Sequence, residues 1–174
     1  MSLPTVSILT PVYDRKKFLP MMIENLKNFD YPKNKLEWVI CDSYSRDGLI
    51  ADPLFSNDEE IKYYEDEIGF PIHYHFLEKK INFLSKNASF KHLINMDSDD
   101  IYFPQYIRYS IGVMKKYKAE CVGSPEMLFI FPNHDNKITM IKCPALRQIH
   151  EATLCFTKKH HRRMGGFENS SRGE

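Results

Sequence analysis

The sequence predicts an α/β fold, a mainly parallel sheet flanked by helices with an added antiparallel edge. Short β-rich runs alternate with segments of helical period through most of the chain, acids recur at the ends of those runs, and the last third is rich in strands. Alternating strands and helices imply parallel strands wound by right-handed crossovers, and consecutive strands without helices between them imply antiparallel pairing.

The elements follow in order. Residues 5–12 (TVSILTPV) form a β-rich run, and Pro11 is expected to take the chain out of the sheet because proline cannot donate to a central ladder. Leu19, Met22, Ile23, Leu26 and Phe29 recur at three- and four-residue spacing, which predicts a helix with Pro20 in its first turn; Asp30-Tyr31-Pro32 stops it. Residues 37–42 (EWVICD) read as a strand that ends in an acid and opens into the turn residues Ser43, Ser45, Asp47 and Gly48. The acidic segment 57–67 reads as a surface helix or loop, 71–77 as a third strand and 88–96 as a fourth. Ile107, Ile111, Met114 and Tyr117 mark a helix over 104–118. Later strands are expected at 120–123, 127–131, 137–143 and 152–156. His73 and His75 alternate along the third strand without a third soft ligand nearby, so they read as satisfied strand histidines.

A chain of 174 residues, 43% hydrophobic and 27% charged, is an ordinary globular composition and is expected to form one domain over 1–174. Its formal charge of +1 gives no global field toward nucleic acid or an anionic membrane, so no nucleic-acid partner is expected. The local run Lys158-Lys159-His160-His161-Arg162-Arg163 reads as a solvated face. No apolar stretch approaches the roughly 20 residues that span a bilayer, and the N-terminus lacks signal-peptide character, which together lead to a cytoplasmic expectation. The four cysteines lack CxxC pairing and read as reduced core residues.

Asp97-Ser98-Asp99-Asp100 directly follows the apolar run Leu93-Ile94-Asn95-Met96. Like charges held this close repel by roughly 1–4 kcal/mol per pair between water and a protein surface, so a fold that concentrates them usually supplies a cation. Oxygen ligands favour Mg²⁺ or Mn²⁺. In an extended segment Asp97 and Asp99 face one side, while Asp100 turns away or opens the next loop. A solvated acidic turn before the helix near Pro104 is the alternative. In parallel sheets ligands bind outside the carboxyl ends of the strands, and Asp14, Asp42 and Asp97/Asp99 all fall at such ends.

Four motifs in this order and spacing resemble family 2 of the inverting glycosyltransferases, with the GT-A fold. They are Val6-Ser-Ile-Leu-Thr-Pro-Val-Tyr-Asp14, Val39-Ile-Cys-Asp-Ser-Tyr-Ser-Arg-Asp-Gly48, Asp97-Ser-Asp-Asp100 and Gly165-Gly-Phe-Glu168. The resemblance implies that Thr10, Pro11, Tyr13 and Asp14 cradle the nucleotide of the donor, although Tyr13 could equally be a core aromatic. It assigns Asp42 to the base or ribose; Ser43 stands where the family has a second acid, which leaves the nucleotide open, with a UDP or dTDP sugar favoured. Lys86, followed by Asn87, is the nearest match to a basic residue beside the diphosphate. Asp97, Ser98 and Asp99 match the family's DxD segment, whose carboxylates contact the ribose and, through Mn²⁺ or Mg²⁺, the diphosphate.

The family's catalytic base follows the Gly-Gly-Phe segment, which here offers Glu174 at the chain end and Glu168 nearer the motif. Glu151 falls where the family begins its acceptor-side strand. The resemblance therefore implies a nucleotide-sugar-binding part over 1–100 and an acceptor-side part over 101–174, acting on a glycan, lipid or protein hydroxyl, with further domains of a parent protein open. A non-catalytic sugar- or nucleotide-binding domain is the alternative from another class. A nucleotidyltransferase is disfavoured because Tyr13-Asp14-Arg15-Lys16 lacks a glycine-rich phosphate loop.

Overall fold

In chain order the elements are β1 (Val6–Val12), α1 (Leu19–Asn28), β2 (Leu36–Ser43), β3 (Ser45–Arg46), β4 (Leu49–Ile50), α2 (Asp58–Ile68), β5 (Ile72–Leu77), α3 (Phe83–Asn87), β6 (His92–Asn95), α4 (Tyr106–Tyr117), β7 (Cys121–Val122), β8 (Glu126–Phe131), β9 (Lys137–Lys142), β10 (Cys155–Thr157) and α5 (Lys158–Arg163). The computed structural model describes residues 2–46, 49–77, 82–131, 133–144 and 148–166.

The main sheet has six strands in the order β5-β2-β1-β6-β10-β7. The first four are mutually parallel, and β10 runs antiparallel to both β6 and β7. This is the expected parallel sheet with an antiparallel edge. Side chains alternate between its faces. Val6, Ile8, Leu36, Trp38, Ile40 and Ile94 pack on one side with Met22, Ile23 and Leu26 of α1, Ile68 of α2, and Ile107 and Ile111 of α4. Leu9, Val39, Cys41, Leu93 and Phe156 pack on the other with Leu84 of α3 and Ala88. Strands covered on both faces read as nearly continuous apolar runs, which is why β1 and β2 are visible in the sequence. Removing a buried indole such as that of Trp38 costs roughly 3–5 kcal/mol.

Two expectations are corrected. Strand β1 does not end at Pro11 but continues to Val12, paired with β2 through Val12↔Asp42. Pairing of β1 with β6 stops at Leu9↔Asn95, and the Leu9 carbonyl, on the β6 side, accepts the N–H of Met96 at 2.9 Å. Two residues on, Pro11 faces that same side, past the last rung of the ladder, so its missing N–H breaks nothing.

The fourth strand is shorter than 88–96. The backbone N–H groups of Ser89 and Phe90 donate to buried side chains, the Glu37 carboxylate at 2.5 Å and the Ser7 hydroxyl at 3.2 Å, instead of to a neighbouring strand. The basic run 158–163 forms helix α5, and none of its residues is buried.

The acidic segment resolves as helix α2. Asn57 caps it by accepting the N–H of Glu60 at 2.8 Å, Asp58, Glu59 and Glu60 stand at the positive end of the dipole, and Gly69 closes it in the left-handed region. His73 and His75 have separate partners, the Glu37 carboxylate and the Phe83 ring. Among the described residues no disulfide joins the four cysteines; Cys41 and Cys155 are buried and Cys121 and Cys143 partly so. Among the described residues no helix is long and apolar enough to cross a membrane.

Candidate functional site

The chain leaves β1 toward β2 on one side and returns to β6 on the other, so a crevice opens between the carboxyl ends of β1 and β6, the place where open α/β sheets take ligands. Asp14 turns the chain out of β1 with φ of 50°, a left-handed conformation that aspartate tolerates better than bulkier residues. Arg15 follows, and its Nε lies 3.7 Å from Oδ2 of Asp99. Pro11 and Asp14 are exposed at the mouth and Tyr13 is half-buried.

Asp42, at the end of β2, is fully buried. Its Oδ2 accepts the N–H of Leu54 and the hydroxyl of Tyr74, each at 2.7 Å, while Oδ1 is buried without a hydrogen-bond partner among the described residues. Burial pushes its carboxyl above the usual range, against the lowering effect of the Tyr74 and Leu54 hydrogen bonds; the charge of Asp14 adds to the rise. Thr10 lies inside: its hydroxyl accepts the indole N–H of Trp38 at 2.8 Å, so it supports the strand pair from within and does not line the crevice.

The acid cluster sits on the extension of β6. Asp97 is pushed up to about 6 by burial first, then by the charges of Asp100, Glu151 and Asp99. Asp100 is raised by burial and by Asp99. Ser98 is buried between them and Asp99 is exposed. The loop is held by its backbone. Asn25 of α1 donates to the carbonyl of Asp100 at 2.8 Å and accepts the N–H of Tyr102 at 3.0 Å. The Tyr102 hydroxyl accepts the N–H of Asp97 and donates to the carbonyl of Ala152. Asn95 donates to the carbonyl of Glu151 at 3.1 Å. These bonds set exposed Glu151 beside the cluster, close enough to raise Asp97.

Asp14 and Asp42 thus lie close enough for the charge of the first to raise the second, and Asp97, Asp99 and Glu151 form a second group beyond β6, reached by Arg15. Lys86 is not grouped with them; it lines a cavity between α3 and α5 with Asn82, Lys158 and Arg162. Gly165 and Gly166 border that cavity in the left-handed region, with φ of 81° and 88°. Glu168, Glu174 and Asp47 lie outside the described residues. Tyr74, Tyr102 and Arg15 were not anticipated. Only Arg15 carried a signal, as a cation adjoining the Asp14 motif.

Among the described residues no three His, Cys, Asp or Glu side chains converge to hold an ion alone. Asp97 and Asp99 are nonetheless oxygen donors in a cluster whose nearest cation is an ion pair at 3.7 Å between half-exposed side chains. That donor set fits a hard divalent cation, which commonly takes one or two carboxylates and completes its shell with phosphate oxygens and water.

The family described as glycosyl transferase family 2 matches residues 7–126. A relative described as an uncharacterized glycosyltransferase of Rickettsia felis is 24% identical over 183 residues, which cover 96% of this chain and 29% of that protein. The structure of the mannosyltransferase PcManGT from Pyrobaculum calidifontis, in complex with GDP-Man and Mn²⁺, superposes with a TM-score of 0.70 at 18% identity, covering 98% of this chain and 49% of that one. S. aureus TarS 1-349 superposes with a TM-score of 0.61 at 14% identity over 92% of this chain and 49% of that one. The same protein in complex with UDP-GlcNAc gives 0.53 at 18% identity over 68% of this chain and 33% of that one. These likenesses bear out the GT-A fold. The chain spans less than a third of the Rickettsia relative and at most about half of these structures.

Proposed function

Because the chain belongs to glycosyl transferase family 2, we propose that it transfers a sugar, with inversion, from a nucleoside diphosphate sugar to an acceptor hydroxyl. The observation that carries this is the concentration of acids at the carboxyl ends of the parallel strands, the mutually repelling Asp97 and Asp99 beyond β6 and the buried Asp42 at the end of β2, whose Oδ1 has no partner among the described residues. A carboxylate oxygen without a partner suits an N–H donor of a nucleobase. Pro11, Tyr13 and Asp14 flank that position and bind the nucleoside; Thr10 acts behind them through Trp38.

Asp97, Ser98 and Asp99 hold the ribose and, with Mn²⁺ or Mg²⁺, the diphosphate. A divalent ion bound there supplies positive charge against the charge that develops on the leaving diphosphate. Lys86 adds its charge from the neighbouring cavity. Residues 1–100 form the donor part and 101–174 the acceptor part. Glu151, on the acceptor side, orients the incoming glycan, lipid or protein hydroxyl. A carboxylate, Glu174 or Glu168, takes the hydroxyl proton as that oxygen attacks the anomeric carbon opposite the leaving group, and the single displacement inverts it. A UDP sugar is the favoured donor; the PcManGT complex with GDP-Man supports including GDP sugars beside it. Four cysteines not joined by disulfides among the described residues support a reducing, cytoplasmic setting.

The test is calorimetric titration with UDP, GDP and dTDP sugars in Mn²⁺, on the unchanged chain and on Asp99→Ala. Metal-dependent donor binding is expected in the first and lost in the second. Unchanged affinity in Asp99→Ala overturns the proposal. In a transfer assay Glu174→Gln should keep donor binding and lose about 10²–10⁴ in rate; full transfer would move the base to Glu168 or another acid.

A further inference from the structure

Strands β8 and β9 form a two-stranded sheet of their own, separate from the six-stranded one. The segment leading into it is tied to the turn that carries Glu151: the Ser124 N–H donates to the Thr153 hydroxyl at 2.8 Å, and the Ser124 carbonyl accepts the N–H of His150 at 2.9 Å. Beyond that anchor the hairpin stands away from the core.

Residues directly opposite one another in a ladder share a face, and successive residues alternate. The register Glu126↔Lys142, Leu128↔Met140 and Ile130↔Ile138 therefore sets these six side chains on one face, with Phe129, Phe131 and Ile141 on the other. On the first face Leu128, Ile130, Ile138 and Met140 are 53–61% exposed, whereas the three named on the second are 39–42% exposed. Four aliphatic side chains thus form one contiguous block, each more than half open. Glu126 and Lys142 close the block at its base with an ion pair at 2.9 Å. A two-stranded hairpin is marginally stable by itself, and monomers rarely leave a large apolar block uncovered.

We infer that this face is the contact through which two copies of the chain associate, hairpin upon hairpin about a two-fold axis. Such a contact sets a surface against itself, so the face must complement its own copy. It does so when the axis runs along the strands, which lays β8 of one copy over β9 of the other. Leu128 then meets the partner's Met140, Ile130 meets the partner's Ile138, and Glu126 meets the partner's Lys142, each in both directions. Apolar groups face apolar groups and each charge faces its opposite. The formal charge of +1 adds little long-range repulsion between copies. The apolar block is on the order of a few hundred Å², less than the roughly 800 Å² per partner of a standard stable interface, so the dimer is expected to dissociate in the micromolar range. An anionic bilayer is the disfavoured occupant, because Glu126 and Lys142 cancel and the face offers it no net positive charge. The contact does not depend on sugar transfer, since none of its residues belongs to the acid cluster.

Sedimentation velocity of the full 174-residue chain over a concentration series tests it. A monomer–dimer equilibrium is expected. Ile130→Lys puts an unpaired charge in the block and should raise the dissociation constant about tenfold or more. Glu126→Lys sets like charges over one another and should weaken the dimer as well, while the double exchange Glu126→Lys with Lys142→Glu should restore it. Lys137→Glu changes a charge on the other face of the same hairpin and should leave the equilibrium unchanged. Thermal unfolding of each variant checks that the fold persists. A monomer at every concentration, or a dimer that Ile130→Lys leaves intact, overturns the inference. So does a chain that stays monomeric and co-sediments with phosphatidylcholine vesicles, which would give the face to a lipid surface.

Discussion

The hydroxyl of Tyr102 accepts the backbone N–H of Asp97 at 2.8 Å and donates to the carbonyl of Ala152 at 3.0 Å, so a single phenol joins the acid cluster to the turn that carries Glu151. Burial, with the charge of Asp97 behind it, holds this phenol well above its ordinary pKa, so it remains a donor across the working pH range.

Tyr102→Phe keeps the ring and removes both bonds. A part-buried N–H left without a partner costs about 1–3 kcal/mol, and at this length each kcal/mol lowers Tm by roughly 2–4 °C. Metal-dependent donor affinity should fall as well, because Asp97 is no longer fixed relative to Ala152. Thermal unfolding and calorimetry read the two effects. Full donor affinity together with a lowered Tm would restrict the Tyr102 bridge to stability.

Asp42 has one oxygen committed to Leu54 and Tyr74 and one buried without a partner among the described residues. Asp42→Asn preserves volume while removing the charge and one acceptor. Free UDP and a UDP sugar should lose affinity alike, by about ten- to a hundredfold if a charged hydrogen bond to the base is lost. Tyr74→Phe removes only the hydroxyl that holds Oδ2 and should cost about 1 kcal/mol of stability with a smaller loss of UDP affinity. A defect confined to the sugar conjugate would place Asp42 away from the base.

What could be read in advance was local. Helices α1 and α4 announce themselves through apolar residues three and four apart, and β1 and β2 through apolar runs that end in acids. Asp14, Asp42, Asp97 and Asp99 stood out for the same reason, since they follow the carboxyl ends of strands, whereas Glu151 precedes β10 and stood out only through the resemblance. The illegible parts depend on long-range pairing. Ser7 and Glu37 look like surface residues of alternating strands until the sheet brings them, 30 residues apart, to 2.6 Å. Thr10 reads as a ligand contact until Trp38 claims its hydroxyl. Helix α3 has five residues and α5 six, too short for a periodic signal, so the meeting of Lys86 with Lys158 and Arg162 had no trace in the sequence.

Gly165 and Gly166 both lie at positive φ, yet their surroundings differ. A Cβ on Gly165 meets nothing within 4 Å among the described residues, so Gly165→Ala should cost only the left-handed strain, about 1–2 kcal/mol. Gly166→Ala adds a clash with Asn82 at 2.8 Å and should cost distinctly more. Denaturant unfolding of the two variants gives the comparison; equal losses would mean that Asn82 swings away without cost.

Glu37 ties the stability of the fold to acid pH. Its carboxylate is almost fully buried, accepts the Ser7 hydroxyl at 2.6 Å and the Ser89 N–H at 2.5 Å, and faces Nε2 of His73 at 3.1 Å. Burial alone would raise its pKa, but the hydrogen bonds from Ser7 and Ser89, with the charge of His73, outweigh it and hold the carboxyl below its ordinary value. The folded pKa is thus lower than the unfolded one, near 4.3. On acidification the unfolded chain takes up this proton first, so the contribution of Glu37 is complete above about pH 4.3 and drains away as pH falls through the folded pKa. Glu37→Gln should lose about 2 kcal/mol near neutral pH, the scale of a hydrogen bond to a charged group. Below about pH 4.3 its stability should fall less steeply with acid than that of the unchanged chain. Urea unfolding at a series of pH values measures both slopes, and parallel acid limbs would remove Glu37 from the linkage.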